Sequence, residues 1–536
     1  MKIIDKTTSE LEILDILLKN RHIDPKDVDE FLKPTNPLTL PESEFGVNSK
    51  ALLKAVKIIK EYIEDKKNIL IYGDYDVDGI TATAILWQVL HDQGALVTPF
   101  VPDREADGYG IRSKSFFEFQ KQKNIKFDLL ITVDNGIVAN DELKKIIDSG
   151  VKVIVVDHHV ADKKLSSLIT TIHSTKVSGS ALSWVLAKQF DKNADIGLAS
   201  LGTVADCLPL NDINRNIVFH GLQSLRLNPN CGIKKLIEVS GIKPESISTY
   251  DLGFVLGPRI NAVGRLANPT DALRLLCCSS SIQASKYSQI LDSFNKDRQN
   301  LQQESITLAK NKISKNIKDK LIFVADKSFH PGVIGLISGR LTEQYYLPSI
   351  VISIGDKIAK GSCRSIKELN IIEVLRYVGA RHASPLLVEL GGHAGAAGFS
   401  LKSENIPKFQ KDITKIINEK LKDIELKPSV YIDAEMKLSA VTIKNCKLVE
   451  KLQPFGIENP EPNFLFKNIE ITQKRLLGQK QEHLKLKLDN IDTIAFKKGD
   501  LDKSLKIGDL ISFTARLNLN IWNGNTSPQL VIKDIL

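Results

Sequence analysis

The chain has 536 residues, 42% of them hydrophobic and 26% charged, with a formal net charge of +9. That length exceeds a single hydrophobic core and predicts about two to four domains, while no apolar run is long enough to cross a bilayer. The N-terminus, MKIIDKTTSELEILDILLKNR, carries scattered acids and no signal-peptide core, which predicts a cytoplasmic protein with no membrane partner.

Taken in order, KNILIYGD, GALVTPFVP, FDLLITVDNG and VKVIVVDHH in the first two hundred residues read as buried strands, and helical spacing fills the gaps between them. This alternation predicts a parallel α/β sheet covered on both faces. The polar stretch SIQASKYSQILDSFNKDRQNLQQESITLAKNKISK, from about 281 to 315, has no Gly or Pro and predicts a long connecting helix. A second α/β segment follows, with strands KLIFVAD and PSIVISIG around the helix GVIGLISGRLTEQY, ending in the Gly-rich ELGGHAGAAGFS. In the last hundred residues EHLKLKLDN alternates leucine and lysine, the period of a half-exposed strand, and DLISFTARLNLNIWNG and PQLVIKDIL continue as strands. An antiparallel OB-type barrel fits that pattern.

Six cysteines (Cys207, Cys231, Cys277, Cys278, Cys363 and Cys446) form no CxxC pair, which argues against zinc fingers and disulfide frameworks. The chemistry-bearing residues lie where the first strands end: Asp74, Asp76 and Asp78; Asp134; Asp157, His158 and His159; and, further on, Asp206 in GTVAD. Ligands of open parallel sheets bind beyond the carboxyl ends of the strands, so these groups are expected to converge. Carboxylates with a minority of imidazoles suit Mn²⁺ or Mg²⁺, and this many ligands suits two cations, bridged by Asp134 or Asp206. Asp76 and Asp78, two apart in an extended segment, would face one site. Singly, an Asp at such a position is as often a helix cap, and Asp74 has the alternative of capping the following turn. His158 is expected to ligate a metal, His159 to ligate or contact the scissile phosphate, and Asp157 to orient an imidazole. Both imidazoles reach the metals only if the backbone turns between them. No GxxxxGK[ST] loop is present, which disfavours nucleotide-driven motors.

DYDVDG, VDNG, VDHH and GTVAD resemble motifs I to IV of the DHH phosphoesterase superfamily, and LGPRINAVGRL, FHPGVIGLISGR, GSCRS and GGHAGAAGF narrow the resemblance to the RecJ-type single-stranded-DNA exonucleases. It covers nearly the whole chain. The resemblance implies an N-terminal segment with a DHH catalytic domain (1–230), a helical connector (231–315), a DHHA1 substrate-binding domain (316–410) and an OB-type nucleic-acid-binding domain (425–536). It implies that Asp76, Asp78, Asp134, His158 and Asp206 bind two metals and that single-stranded DNA is hydrolysed 5′ to 3′ to mononucleotides, in repair and recombination. A DNA helicase and a single-strand-binding protein are the implied partners. Arg259, Ser362 and Arg364 would hold the 5′-terminal phosphate, with Arg104 and Asn261 on the strand nearer the metals and His393 as a further contact. Many superfamily members have a histidine where this chain has Tyr72, so one cation is expected to have fewer protein ligands. In the barrel, Trp522, Phe496 and Lys485 are candidates for a stacking surface, and Phe513 is expected in the core. Two other readings compete: a phosphodiesterase of short oligonucleotides or cyclic dinucleotides, and a non-catalytic scaffold. The full acid set speaks against the scaffold.

Overall fold

The computed structural model describes residues 2–103, 108, 110–161, 163–313, 317–380, 386–522 and 524–536. It divides into two compact units. The first comprises Met1–Ile260, Pro269–Ser288 and Val430–Leu536, and the second Asn261–Asn268 and Gln289–Ser429. Among the described residues no helix is long and apolar enough to cross a membrane.

In the first unit, β1 (Ile3–Ile4) precedes a five-stranded sheet of β2 (Asn68–Tyr72), β3 (Leu96–Phe100), β4 (Leu129–Val133), β5 (Lys152–Asp157) and β6 (Thr170–His173). Its order is β3-β2-β4-β5-β6 and every pairing is parallel. The four strands expected from the apolar runs are all present. β6 adds a fifth, whose sequence TTIH is too short and too polar to stand out. The runs are continuous in hydrophobicity because both faces are covered. Leu70, Tyr72, Leu130 and Val153 pack with Phe116, Phe127 and Leu143 on one side, and Ile69, Ile71, Ile131 and Ile154 are equally inaccessible on the other. The chain runs from β2 outward to β3, then returns to place β4 on the opposite side of β2. The order therefore reverses between β2 and β4, and a crevice opens beyond the carboxyl ends of strands at such a reversal.

The C-terminal part of this unit holds β12 (Ala434–Met436), β13 (Phe464–Leu477), β14 (His483–Leu488), β15 (Ile491–Ala495), β16 (Leu510–Trp522) and β17 (Asn525–Ile535). Pairings run β13-β14-β15-β17-β16 and return from β16 to β13, so the ladder closes on itself. One pairing, β15 with β17, is parallel where an antiparallel barrel was expected. A ring of five strands cannot alternate direction all the way round, so at least one neighbouring pair must run the same way. β1 joins this sheet by pairing with β12, and the amphipathic helix Glu10–Asn20 buries Ile13 and Leu17 in the same core as Phe464 and Phe466. The first residues of the chain therefore complete the C-terminal sheet.

Arg215, only 2% exposed, ties these parts together. Its Nε donates to Phe31 O at 2.8 Å, Nη1 to Pro454 O at 3.3 Å and Nη2 to Gln453 O at 2.6 Å. The guanidinium carbon lies 3.8 Å from the centroid of the Phe31 ring. Burial and the charge of Arg21 bring its pKa down to about 10.

The second unit is built on β7 (Ile322–Asp326), β8 (Ser349–Ser353), β9 (Ile358–Arg364), β10 (Leu387–His393) and β11 (Ala396–Lys402), in the order β10-β11-β9-β8-β7. Only β7 and β8 are parallel. The Gly-rich stretch forms the β10–β11 hairpin, with Gly391 and Gly392 inside a strand and the turn after His393. The expected connector is one 32-residue helix, Ser281–Lys312, and the division between units falls within it.

Removing the Arg215 fork deletes three hydrogen bonds, each worth about 1 kcal/mol, although Pro454 O keeps a donor in Asn459 Nδ2 at 2.8 Å. Arg215→Ala should lower stability by roughly 3 kcal/mol in urea unfolding, and Arg215→Lys should recover little, because a single ammonium cannot reproduce the fork. An unchanged midpoint would show the contact to be idle.

Candidate active site

The acids gather at the reversal between β2 and β4. Gly73 follows β2, and the chain then turns into the helix Val77–Asp92. Asp76 caps that helix, its Oδ1 accepting from Gly79 N at 3.0 Å. Asp78 lies in the first turn. The two carboxylates are therefore not brought together by alternation along a strand, as the spacing suggested, but by a cap and a helical turn. Asp78, 1% exposed, accepts Gly179 N at 2.7 Å on Oδ2 and Ser180 N at 3.0 Å on Oδ1. Those two N–H groups open the helix Gly179–Ala187, whose N-terminus carries partial positive charge. Asp74 is 2% exposed, with Oδ1 accepting from Tyr75 N at 2.8 Å.

Asp134 follows β4 at φ +60° and is held by donation of its N–H to Val156 O. Gly179 permits the approach of its side chain: a Cβ at that position would lie 2.6 Å from both Cβ and Oδ1 of Asp134. At the end of β5 the backbone bends, so the rings of His158 and His159 sit 4.6 Å apart on the same side. His158 Nε2 is 3.1 Å from Asp134 Oδ1, 3.6 Å from Asp206 Oδ2 and 3.8 Å from Asp78 Oδ2. His159 Nδ1 lies 2.8 Å from Asp157 Oδ1, and Asp157 Oδ2 accepts from Ile137 N at 2.8 Å. His173 Nε2 donates to His159 O at 2.8 Å and steadies the bend. Asp206 caps the C-terminus of the helix Ile196–Ala205.

Three sets of side chains place ligand atoms within 4.8 Å of one another: Asp134, His158 and His159; Asp78, His158 and Asp206; Asp74, Asp76 and Asp134. Asp134 belongs to two of the sets, whereas Asp206 belongs to one. Tyr72 is fully buried, edge-on to Phe100 with centroids 4.9 Å apart, and its neighbour Asp74 joins the acids instead.

Crowding governs the electrostatics. Burial and the Asp76 charge push Asp74 up to about 8, and burial with Asp78 and Asp76 does the same to Asp206. Burial and Asp78 raise Asp76, and burial with Asp78, Asp76, Asp74 and Asp157 raises Asp134 well above the carboxylate range. Burial lowers His158 and keeps it neutral. His159 moves the other way, raised to about 9 by its hydrogen bond to Asp157. Asp157, although burial acts to raise it, is held low by that same bond.

These groups fit a divalent cation. Asp134 Oδ1 is buried without a hydrogen-bond partner, although His158 Nε2 lies 3.1 Å away. Two ligands adjacent on an octahedral ion with bonds of about 2.1 Å are separated by about 3 Å. The pair has the spacing of neighbouring ligands and lacks the alignment of a hydrogen bond.

The residues expected to grip the strand lie elsewhere, and Arg104 lies outside the described residues. Arg259, in the first unit, donates Nη1 to Val255 O at 2.8 Å. Asn261 falls in the second unit, on the same helix, Gly257–Leu266. On β9, Arg364 Nη1 donates to Cys363 O at 2.9 Å and to Ser362 Oγ at 3.4 Å. Gly335, in the first turn of the helix Ile334–Tyr345, lies against both: a Cβ there would be 3.1 Å from Ser362 Oγ and 3.4 Å from Arg364 Nη2. A guanidinium, a hydroxyl and a helix N-terminus are donors of the kind that bind anions. His393 is exposed at the end of β10. In the barrel, Phe513 is buried on Phe466, Phe496 is 51% exposed, and Lys485 is engaged with Asp492 at 2.7 Å. Nothing is described of the Trp522 side chain.

His173, the Gly179–Ser180 amides and Gly335 were not singled out from sequence, and Asp74 was grouped with the strand-end acids but left out of the implied ligand set. Asp74 carried a signal in its alternation with Asp76 and Asp78. The amides carried none beyond a helix start.

Family models place the DHH family N-terminal domain at residues 68–208, the DHHA1 domain at 318–419 and the RecJ OB domain at 432–534. The single-stranded-DNA-specific exonuclease RecJ of Bacillus subtilis is 33% identical over 506 residues; the match takes in 90% of this chain and 63% of that protein, so the chain spans less than two thirds of that relative's length. RecJ of Dickeya dadantii is 30% identical over 530 residues, covering 90% of each chain. The crystal structure of RecJ from Thermus thermophilus in complex with Mn²⁺ superposes with a TM-score of 0.82 at 27% identity, covering 100% of this chain and 79% of that one. All three domain models in succession, and a relative matched along nine tenths of both sequences, show that the chain belongs to the RecJ family of single-stranded-DNA-specific exonucleases.

Proposed function

We propose that this chain degrades single-stranded DNA from the 5′ end to mononucleotides, using two divalent cations, Mn²⁺ or Mg²⁺, held by Asp76, Asp78, Asp134, His158 and Asp206, with Asp74 completing the group around Asp76 and Asp134. The observation that carries this reading is the unbonded approach of Asp134 Oδ1 and His158 Nε2 inside a nest of acids that repel one another. When bound, the cations lower the pKa of a water and offset charge on the phosphoryl oxygens.

The protein's own groups do the rest. Asp134, held by its backbone and by the space at Gly179, keeps its carboxylate shared between neighbouring ligand sets. Burial lowers the His158 pKa and so favours the neutral imidazole, the form that ligates a cation. His159, charged through Asp157, has Nδ1 engaged and presents Nε2–H as a donor to the scissile phosphate. On the second unit, Arg364, Ser362 and the first turn of the helix Ile334–Tyr345 receive the terminal 5′-phosphate, which fixes polarity, while Arg259 on the first unit, and Arg104, Asn261 and His393, contact the strand. The enzyme works in the cytoplasm, in repair and recombination, on strands exposed by a DNA helicase and covered by a single-strand-binding protein.

Asp134→Asn should cut Mn²⁺-dependent hydrolysis of an end-labelled strand by more than about a hundredfold, since losing a ligand exceeds losing a ligand's partner. Strand binding in chelator should persist, and full turnover would remove Asp134 from its role. Arg364→Ala should reduce the preference for a 5′-phosphorylated over a 5′-hydroxyl end by about tenfold or more, as expected for a charge-assisted contact; an undiminished preference would place the end pocket elsewhere.

The raised acids also set a pH dependence. Between about pH 4 and 8 the folded, metal-free site holds more protons than the unfolded chain, so stability falls as pH rises, and His159, losing its charge near 9, acts in the same sense. The Tm of chelator-treated protein should therefore drop from pH 5 to 8.5, and Mn²⁺ should raise it most at the alkaline end. A Tm that climbs across that range in chelator would contradict the assignment.

A further inference from the structure

Tyr250 and Phe254 are 64% and 70% exposed and stack on each other, with ring centroids 5.1 Å apart and planes 25° from parallel. Two large aromatic rings left together in solvent are uncommon on a folded surface and mark a contact site. They sit on one continuous helical stretch, Thr249–Asp251 running into the π-helical turn Leu252–Leu256. Such turns recur at functional sites. Leu252 and Leu256 are fully buried, so the stretch is anchored on one side and presents the rings on the other.

What this stretch touches suggests the occupant. Gly253 and Gly257 bring it close to the end of the helix Ile196–Ala205: a Cβ at Gly253 would lie 3.5 Å from Val204 Cγ1, and one at Gly257 3.8 Å from Ala205 Cβ. The next residue of that helix end is Asp206, one of the clustered acids. At its other end, Thr249 Oγ1 donates to Phe455 O at 2.6 Å, in the segment leading to β13 of the barrel. The same helical path continues into Arg259. The exposed rings thus lie on an element fixed at one end to the acidic centre and at the other to the approach to the barrel.

The geometry points to a base-stacking platform: Tyr250 and Phe254 receive the bases of the single strand on its way between the barrel and the acidic centre. This inference rests on the functional reading above and names a further part of its substrate path. Stacking on aromatic rings needs no base identity, which suits an enzyme that consumes any sequence.

The test is binding in chelator, where hydrolysis plays no part. Anisotropy of a labelled thymidine oligomer and of an abasic strand of equal length is compared for the wild type, Tyr250→Ala/Phe254→Ala and Phe254→Trp. The double variant should lose about tenfold in affinity for the thymidine strand and nothing for the abasic one. Phe254→Trp should bind as the wild type does, with its indole fluorescence quenched by the thymidine strand only. Equal losses on both strands, no loss on either, or an unquenched indole would overturn the platform. Wild-type protein that neither binds nor cuts the thymidine strand would overturn the functional reading as well; wild-type protein that binds and cuts it, beside a double variant that binds unchanged, would overturn the platform alone.

Discussion

Mutual repulsion among buried carboxylates is the constraint on which this structure turns. Asp74, Asp76, Asp78, Asp134 and Asp206 belong to overlapping groups whose ligand atoms lie within 4.8 Å of one another. Asp74, Asp78 and Asp134 are buried away from the water that would screen them, while Asp76 is half-buried and Asp206 exposed. Four of the five have carboxyl groups pushed toward the protonated form. A fold keeps such a cluster only if something positive occupies it in the working state. The protein supplies part of that charge from the N-terminus of the helix Gly179–Ala187 and from the His159 imidazolium. Divalent cations supply the remainder.

The architecture follows from delivering these groups to one point. A parallel sheet puts the ends of β2, β4 and β5 on one edge, and the reversal of strand order between β2 and β4 opens room there. Two glycines allow the contacts that ligands require. Gly179 lets Asp134 approach, and a Cβ at Gly202 would meet Asp78 Oδ1 at 2.3 Å. The C-terminal barrel belongs to the same compact unit, its sheet extended through β12 by the first residues of the chain and latched by the Arg215 fork. Barrel and acidic centre are thereby built on one framework, while the arginine and serine of β9 stand on the other unit.

Much of this was legible in sequence. Continuous apolar runs marked four strands, three of them ending in Asp or His and so marking the edge on which the site forms, and alternating Leu484, Leu486 and Leu488 announced a barrel strand. Other features lacked a local signal. β6 is short and half polar. The completion of the C-terminal sheet by Ile3–Ile4 depends on partners more than four hundred residues away. The role of Asp78 depends on two amides a hundred residues downstream, and amides leave no mark in a sequence. The convergence of Asp76 and Asp78 was foreseen from an extended spacing, yet the structure achieves it with a helix cap, because Gly79 N is available to Asp76 and the chain begins to coil at Val77. Asp74 could equally have been a turn former. Only the position of Asp134 beside it shows what it faces.

The central claim is that the acidic nest exists to hold two divalent cations. Calorimetric titration of Mn²⁺ into chelator-stripped protein at pH 7, repeated in two buffers of different ionisation enthalpy, tests it most directly. The account predicts two ions bound per chain, with protons released as the raised carboxyl groups give them up. Binding of no ion, or binding without proton release, would contradict it.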